Sequence, residues 1–284
     1  MAEVVLYEVD GPLGRVTINR PERRNALTWD AVRLLRGALA LAKADEHVRV
    51  VVLTGAGDRA FCAGADLSTM ATAGTAGTAG TAGPSPTTAT VEKAHGDRGQ
   101  LAALFLDLWD LGKPTVAAVR GAAMAGGFAL ALACDLVLAA EDAVFATPEI
   151  DVGLWPYLAT VPLVRAMPPK KALELMMTGR RVGAAEAERI GFVSRVVAAA
   201  DLGAAVDEVA AVLAAKPPGP LRLGRDSFYA TWGLDARAAL AQLHPLLTLA
   251  GMTEDAHEGT AAFAEKRPPR WAAGVPPDGP HAGR

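Results

Sequence analysis

Glu149 is a single carboxylate ten residues beyond an apolar run, Asp135–Ala139, and downstream of a glycine turn, Ala125-Gly126-Gly127. An apolar helix of small residues is expected directly after that turn. The first N–H groups of a helix have no partner within it, so they point outward at any negative charge close by. A carboxylate beside such an anion-stabilising turn is a candidate general acid or base. A second loop, Thr54 to Leu67, carries Gly55, Gly57 and Gly64 behind a buried-strand pattern. A glycine loop by itself often marks only a turn. Its place at the end of a buried strand adds weight, because ligands of parallel sheets bind at strand carboxyl ends.

The elements that must hold these groups follow from pattern and punctuation. Val4–Val9 and Arg15–Asn19 read as a hairpin around Asp10-Gly11-Pro12-Leu13-Gly14. A polar loop, Arg20 to Leu27, ends at Thr28, which is placed to cap a helix marked by Val32, Leu35 and Leu39. Val48–Leu53 is continuously apolar and reads as a buried parallel strand. Residues 71–90 repeat Thr-Ala-Gly and then turn proline-rich, so they are expected to form a flexible, low-complexity insertion. Leu101, Leu104, Phe105, Leu108 and Leu111 mark an amphipathic helix stopped by Gly112 and Pro114. A strand at 114–119, the glycine turn, a helix and a strand at 135–139 come next. This alternation predicts an α/β fold of right-handed crossovers. Beyond Glu149 short helices dominate, with one further strand in Val193–Val197. The expected division is an α/β core over 1–200, a helical C-terminal lobe over 201–266 and a loose tail over 267–284.

Bulk properties narrow the function classes. The chain has 284 residues, a net charge of −3 and scattered basic residues, which gives no nucleic-acid or membrane patch. Cys62 and Cys134 lie in apolar surroundings and read as small buried residues of a reducing compartment. The N-terminal residues lack a signal pattern and the longest uncharged run is too glycine-rich to span a bilayer, so a cytoplasmic protein is expected. The histidines at 47, 95, 244, 257 and 281 have no metal-ligand spacing, and no metal is expected.

Five stretches together resemble the crotonase superfamily, the enoyl-CoA hydratase and isomerase family. They are INRPERRNALT (18–28), VVLTGAGDRAFCAGADL (51–67), KPTVAAVRGAAMAGGFALALACDLVLA (113–139), TPEIDVGL (147–154) and MTGRRVGAAEAERIGFVSRVV (177–197). The resemblance covers about residues 4 to 270. It implies a spiral of repeated ββα units followed by a C-terminal helical oligomerisation lobe, with a homotrimer or a dimer of trimers as the assembly. It implies an enzyme on acyl-CoA thioesters that stabilises an enolate oxyanion with two backbone N–H groups and needs no cofactor beyond its CoA substrate. The matching positions make the N–H groups of Ala65 and Gly126 the donors and Glu149 the carboxylate that handles the proton α to the thioester. Asn25, Ala26, Ala63, Ala65, Asp66, Leu67 and Ser68 match stretches that line CoA, Arg24 is a candidate partner for its phosphates, and Phe263 and Lys266 match a C-terminal segment that approaches it. The residues themselves mark Asp66 as a structural or CoA-loop residue rather than a catalyst.

One position departs from the hydratase pattern. The second hydratase glutamate lies three residues after the second oxyanion glycine, and here that position is Ala129. Asp151, two residues past Glu149, would share its face if the segment were extended. Tyr157 would place a phenol in the acyl pocket, as a wall or to orient water. A hydratase-like enzyme is the primary expectation. The alternatives are a double-bond isomerase that works with Glu149 alone and a non-catalytic acyl-CoA binder.

Overall fold

The computed structural model describes residues 3–66 and 88–272. The first elements are a hairpin, β1 (Val5–Asp10) and β2 (Leu13–Ile18), and helix α1 (Trp29–Ala44). Thr28 caps α1 as expected, its side chain accepting from Ala31 N–H at 3.1 Å. Next come β3 (Val50–Gly55), β4 (Ala60–Cys62) and α2 (Thr88–Trp109). The same triplet recurs as β5 (Thr115–Val119), β6 (Ala122–Met124) and α3 (Gly126–Ala133). It recurs again as β7 (Leu136–Ala140), β8 (Val144–Ala146) and α4 (Tyr157–Ala166). Then follow α5 (Pro169–Thr178), β9 (Val182–Gly183), α6 (Ala184–Ile190), β10 (Arg195–Val197) and α7 (Leu202–Ala214). The chain closes with α8 (Pro218–Thr231), α9 (Ala236–Gly251) and α10 (Glu254–Ala264).

In each triplet the first strand joins one sheet and the second joins another. The large sheet has the order β1-β2-β3-β5-β7-β10 and the small sheet β4-β6-β8-β9. From β2 to β10 the large sheet is parallel, so its strands are covered on both faces. The alternation shows this directly. Val51, Leu53, Ala117, Val119, Val137 and Ala139 enter the main core, while Val50, Val52, Val116, Ala118, Leu138 and Ala140 enter a second core under α7. This is the expected α/β spiral of ββα units. The residue pattern gave no sign of β4, β6, β8 and β9, because two or three residues are too few to show an alternation.

Two expected boundaries move. Leu202, Ala205, Val206, Ala210 and Ala214 pack on the large sheet, so α7 belongs to the core rather than to the helical lobe. The reason is its apolar stripe, which finishes the outer face that the sheet would otherwise expose. The start of the tail is held, not loose. Arg267 pairs with Glu258 at 2.6 Å, which holds the Glu258 carboxyl down at about 2, and Arg270 N–H donates to the same carboxylate at 2.8 Å. The low-complexity insertion falls outside the described residues apart from Thr88 to Thr90, which open α2.

A buried network joins the lobe of α8–α10 to the core. Arg225 pairs with Asp135 at 2.8 Å with only 7% of its side chain exposed, and it donates to the carbonyls of Trp109 and Leu108 at the end of α2. Tyr229 donates to Asp135 at 2.6 Å.

Candidate active site

The Gly126 donor comes from the turn between β6 and α3. Ala125 sits at φ 53°, ψ −126°, a conformation unusual for a residue with a side chain. Its N–H donates to Ala146 O at the end of β8 (2.8 Å), and its carbonyl accepts from Ala129 N–H (3.1 Å), the first bond of the helix. The Ala125–Gly126 peptide is trans, so when its carbonyl points into the helix its N–H points out of the helix N-terminus. The helix is pressed against β4. A side chain at Gly127 would put its Cβ 2.3 Å from the Cys62 carbonyl oxygen, so only glycine allows this approach. The Cys62 thiol beside it is fully buried and pushed up to about 12 by desolvation, which leaves it a packing group.

The Ala65 donor lies in the loop after β4. Leu27 bridges to Ala65 in parallel register, its two backbone bonds going to the peptides on either side of Ala65. Leu27 N–H bonds Gly64 O (2.7 Å) and Asp66 N–H bonds Leu27 O (2.8 Å). Because the Gly64 carbonyl faces Leu27, the N–H of the same trans peptide, that of Ala65, faces the opposite way. The two loops touch at this point. A Cβ at Gly64 would stand 2.7 Å from Ala125 Cβ and 3.4 Å from Gly126 N. Among the described residues no acceptor takes the N–H of Ala65 or of Gly126. Two free donors therefore come from neighbouring turns, one of them with the positive end of a helix behind it.

Glu149 is three residues beyond Ala146, the residue whose carbonyl holds Ala125. Three residues reach at most about 10 Å, so the carboxylate is tied to the same corner as Gly126. It stands in a 3-10 turn, Pro148–Val152, fixed by Thr147 Oγ1 donating to Leu175 O (3.2 Å) and by Leu154 N–H donating to Glu149 O (2.9 Å). Its Oε2 is buried and has no hydrogen-bond partner among the described residues. Burial raises its pKa above the ordinary glutamate value, with its own N–H opposing more weakly. A half-buried carboxyl that no group neutralises is suited to exchanging a proton with a bound molecule.

The other expected residues divide. Ala129 is fully buried in the apolar core and brings no carboxylate to this corner. Asp151 does not share Glu149's face: the segment is a 3-10 turn rather than extended, and Asp151 is exposed on it. Tyr157 is 78% exposed at the start of α4 among the described residues. Ala26 is buried and Ala63 N–H bonds Arg24 O (3.0 Å), which brings both stretches to the Ala65 loop, while the Arg24 side chain is exposed. Asp66 is 8% exposed and paired with Arg20 at 3.0 Å. Leu67 and Ser68 lie outside the described residues. Phe263, 88% exposed, and Lys266 stand on the surface at the end of α10. No sequence signal gave the Arg20–Asp66 pair, whose members are 46 residues apart. Asn25 stood out only within the family stretch, yet it is fully buried and bonds both flanking segments.

Comparison with known proteins agrees with this architecture. The family model for enoyl-CoA hydratase/isomerase matches residues 8–274. A putative enoyl-CoA hydratase of Thermus thermophilus is 38% identical over 264 residues, covering 92% of this chain and 98% of the relative. A carnitinyl-CoA dehydratase of Proteus mirabilis is 34% identical over 279 residues, covering 95% of this chain and 99% of the relative. Among solved structures, an enoyl-CoA hydratase of Mycobacterium smegmatis superposes with a TM-score of 0.84 at 33% identity, covering 95% of this chain and 99% of the other.

Proposed function

The chain belongs to the enoyl-CoA hydratase/isomerase family, and on that premise we propose that it is a hydratase-like enzyme acting on an acyl-CoA thioester. The observation that carries the proposal is the buried, unpartnered Glu149 Oε2 in the same corner as two outward N–H groups. In this reaction water adds across the C2–C3 double bond. Glu149 takes a proton from water as the oxygen bonds C3, and the π electrons move onto the thioester oxygen. The enolate oxygen then accepts from Ala65 and Gly126, each donor stabilising it by roughly 3–4 kcal/mol by analogy with other oxyanion sites. Glu149 returns its proton to C2, so one carboxylate serves both halves of the reaction.

Ala129 favours a second reading. A lone carboxylate beside two donors is sufficient to remove a C2 proton from a 3-enoyl thioester and return it at C4, which is isomerisation. A non-catalytic binder is disfavoured, since binding alone gives no reason to bury an unpaired carboxylate. The proposal includes a homotrimer or dimer of trimers. It is supported by the exposed Leu240, Leu247, Leu249 and Met252 along α9 and its end, an apolar surface that a monomer would leave in water. Among the described residues no helix is long and apolar enough to cross a membrane. A cytoplasmic location is part of the proposal; the relatives include bacterial proteins and one from Dictyostelium discoideum whose name says mitochondrial.

Mass spectrometry of products from a 2-enoyl-CoA and a 3-enoyl-CoA, offered separately, tests the reading. Gain of one water from the first is expected; conversion of the second without mass change would assign isomerisation instead. Glu149→Gln is expected to lose roughly 10²–10⁴ in kcat. Turnover retained in that variant removes Glu149 as the acid–base group.

A further inference from the structure

We propose that Arg20 and Asp66 are positioning residues that hold the Ala65 N–H in place for the proposed oxyanion, rather than contacts to CoA. The inference rests on the functional reading above. Asp66 follows Ala65 directly, so whatever anchors Asp66 fixes one end of the donor's own residue. Its carboxylate oxygen Oδ2 accepts from Arg20 Nη1 at 3.0 Å, and the same nitrogen donates to Ala26 O at 2.5 Å. The exposures of the two side chains are 16% and 9%, so this pair is formed largely out of water. A buried ion pair adds little net stability, but removing one partner leaves a charge stranded. What such a pair does well is specify one geometry.

The bonds around the pair make one connected clamp. Arg20 N–H donates to Asn25 Oδ1 (2.9 Å), and Asn25 Nδ2 donates to Ala60 O (2.7 Å) on β4 and to Ala56 O (2.9 Å) after β3. Asn25 itself is fully buried at φ 56°. From Asn25 the chain runs through Leu27, which bonds the peptides on both sides of Ala65. Thus the strand ends, the 20–27 loop and the donor loop are bound through Asn25, Arg20 and Asp66. Donor position matters because an N–H about 3 Å from the oxyanion stabilises it strongly, and a loosened loop gives up that fixed geometry. A CoA contact would instead present its carboxylate to solvent, where it would also repel the phosphates.

The test uses the full chain, the variants Asp66→Asn and Arg20→Lys, and a bound arylacryloyl-CoA whose absorption shifts to the red when its thioester oxygen accepts hydrogen bonds. For Asp66→Asn the expected result is a tenfold or greater loss of kcat, a KM within threefold of wild type and a smaller red shift. Arg20→Lys keeps the charge and is expected to restore part of both readouts relative to Arg20→Met. A preserved red shift with a KM raised tenfold would overturn the proposal and make the pair a CoA contact. Preserved kcat, KM and red shift would overturn it as well, leaving the pair structural. If wild type itself shows neither red shift nor turnover, the functional reading fails and not the clamp alone.

Discussion

The N–H of Gly126 and the N–H of Ala65 lie side by side but are held by different physics. Gly126 opens a helix whose residues Gly127 to Ala133 are all buried, on a turn bonded to the small sheet at Ala146. Its direction follows from packing, and a displacement would drive α3 into Cys62. Ala65 is in the loop after β4, and its direction follows from backbone bonds to Leu27 and from the Arg20–Asp66 pair. Glu149 shares the packed half. One half of the corner is therefore rigid and intolerant, and the other is adjustable through polar contacts.

The sharpest way to break this comparison is Gly126→Pro. Proline fits the first position of a helix; it removes the N–H and puts its ring Cδ where the hydrogen pointed. Ala125 before it is already outside the helical region, so the usual pre-proline clash with a helical residue does not arise. A loss of roughly 10²–10³ in kcat with helical circular dichroism unchanged is expected. A loss under tenfold would show that the second donor carries no catalytic weight.

A smaller effect concerns the cost of the packed half. With its pKa raised by burial, Glu149 binds a proton more readily in the folded chain than in the unfolded one. Stability from this group is thus fully present below the unfolded pKa and falls as pH rises through the folded pKa. Glu149→Gln is expected to raise Tm relative to wild type at pH 8, and the gain is expected to vanish near pH 4. An equal gain at both pH values would count against an unpaired buried charge. The same raised pKa moves the acid limb of kcat/KM upward from the usual carboxylate range.

The smallest effect is Ala125→Gly. Glycine adopts φ 53° without strain, which offsets the backbone entropy it adds to the unfolded chain. A net gain of about 1 kcal/mol is expected, roughly 2–4 °C in Tm for a domain of this size. A fall in Tm would mean that the Ala125 methyl contributes more by its contacts than it costs in strain.

Much of the packed half was legible in the sequence, because its signals are local. Ala125-Gly126-Gly127 before an apolar run announces a helix N-terminus, and the run at 115–119 announces the strand that leads to it. The change to short helices beyond Glu149 was legible for the same reason, through Pro, Gly and apolar spacing. The adjustable half was far less so. That Arg20 and Asp66 pair with each other is invisible until the fold closes the gap of 46 residues between them. Asp151 was misplaced because whether a segment is extended or a 3-10 turn depends on bonds such as Thr147 to Leu175, which no local pattern records.

The small sheet has a consequence in time. Its strands begin at residues 60, 122, 144 and 182 and are only two or three residues long. None of them can persist alone, and each finds its neighbour only after a long crossover has closed. The large sheet has longer strands and can gather its apolar face first. Both sheets close crossovers of similar length, so the difference lies in the number of bonds, and pairings with few bonds form late and open early. The corner that carries Ala65, Gly126 and Glu149 is built on those short pairings, so it is expected to order after the large sheet and to open before it.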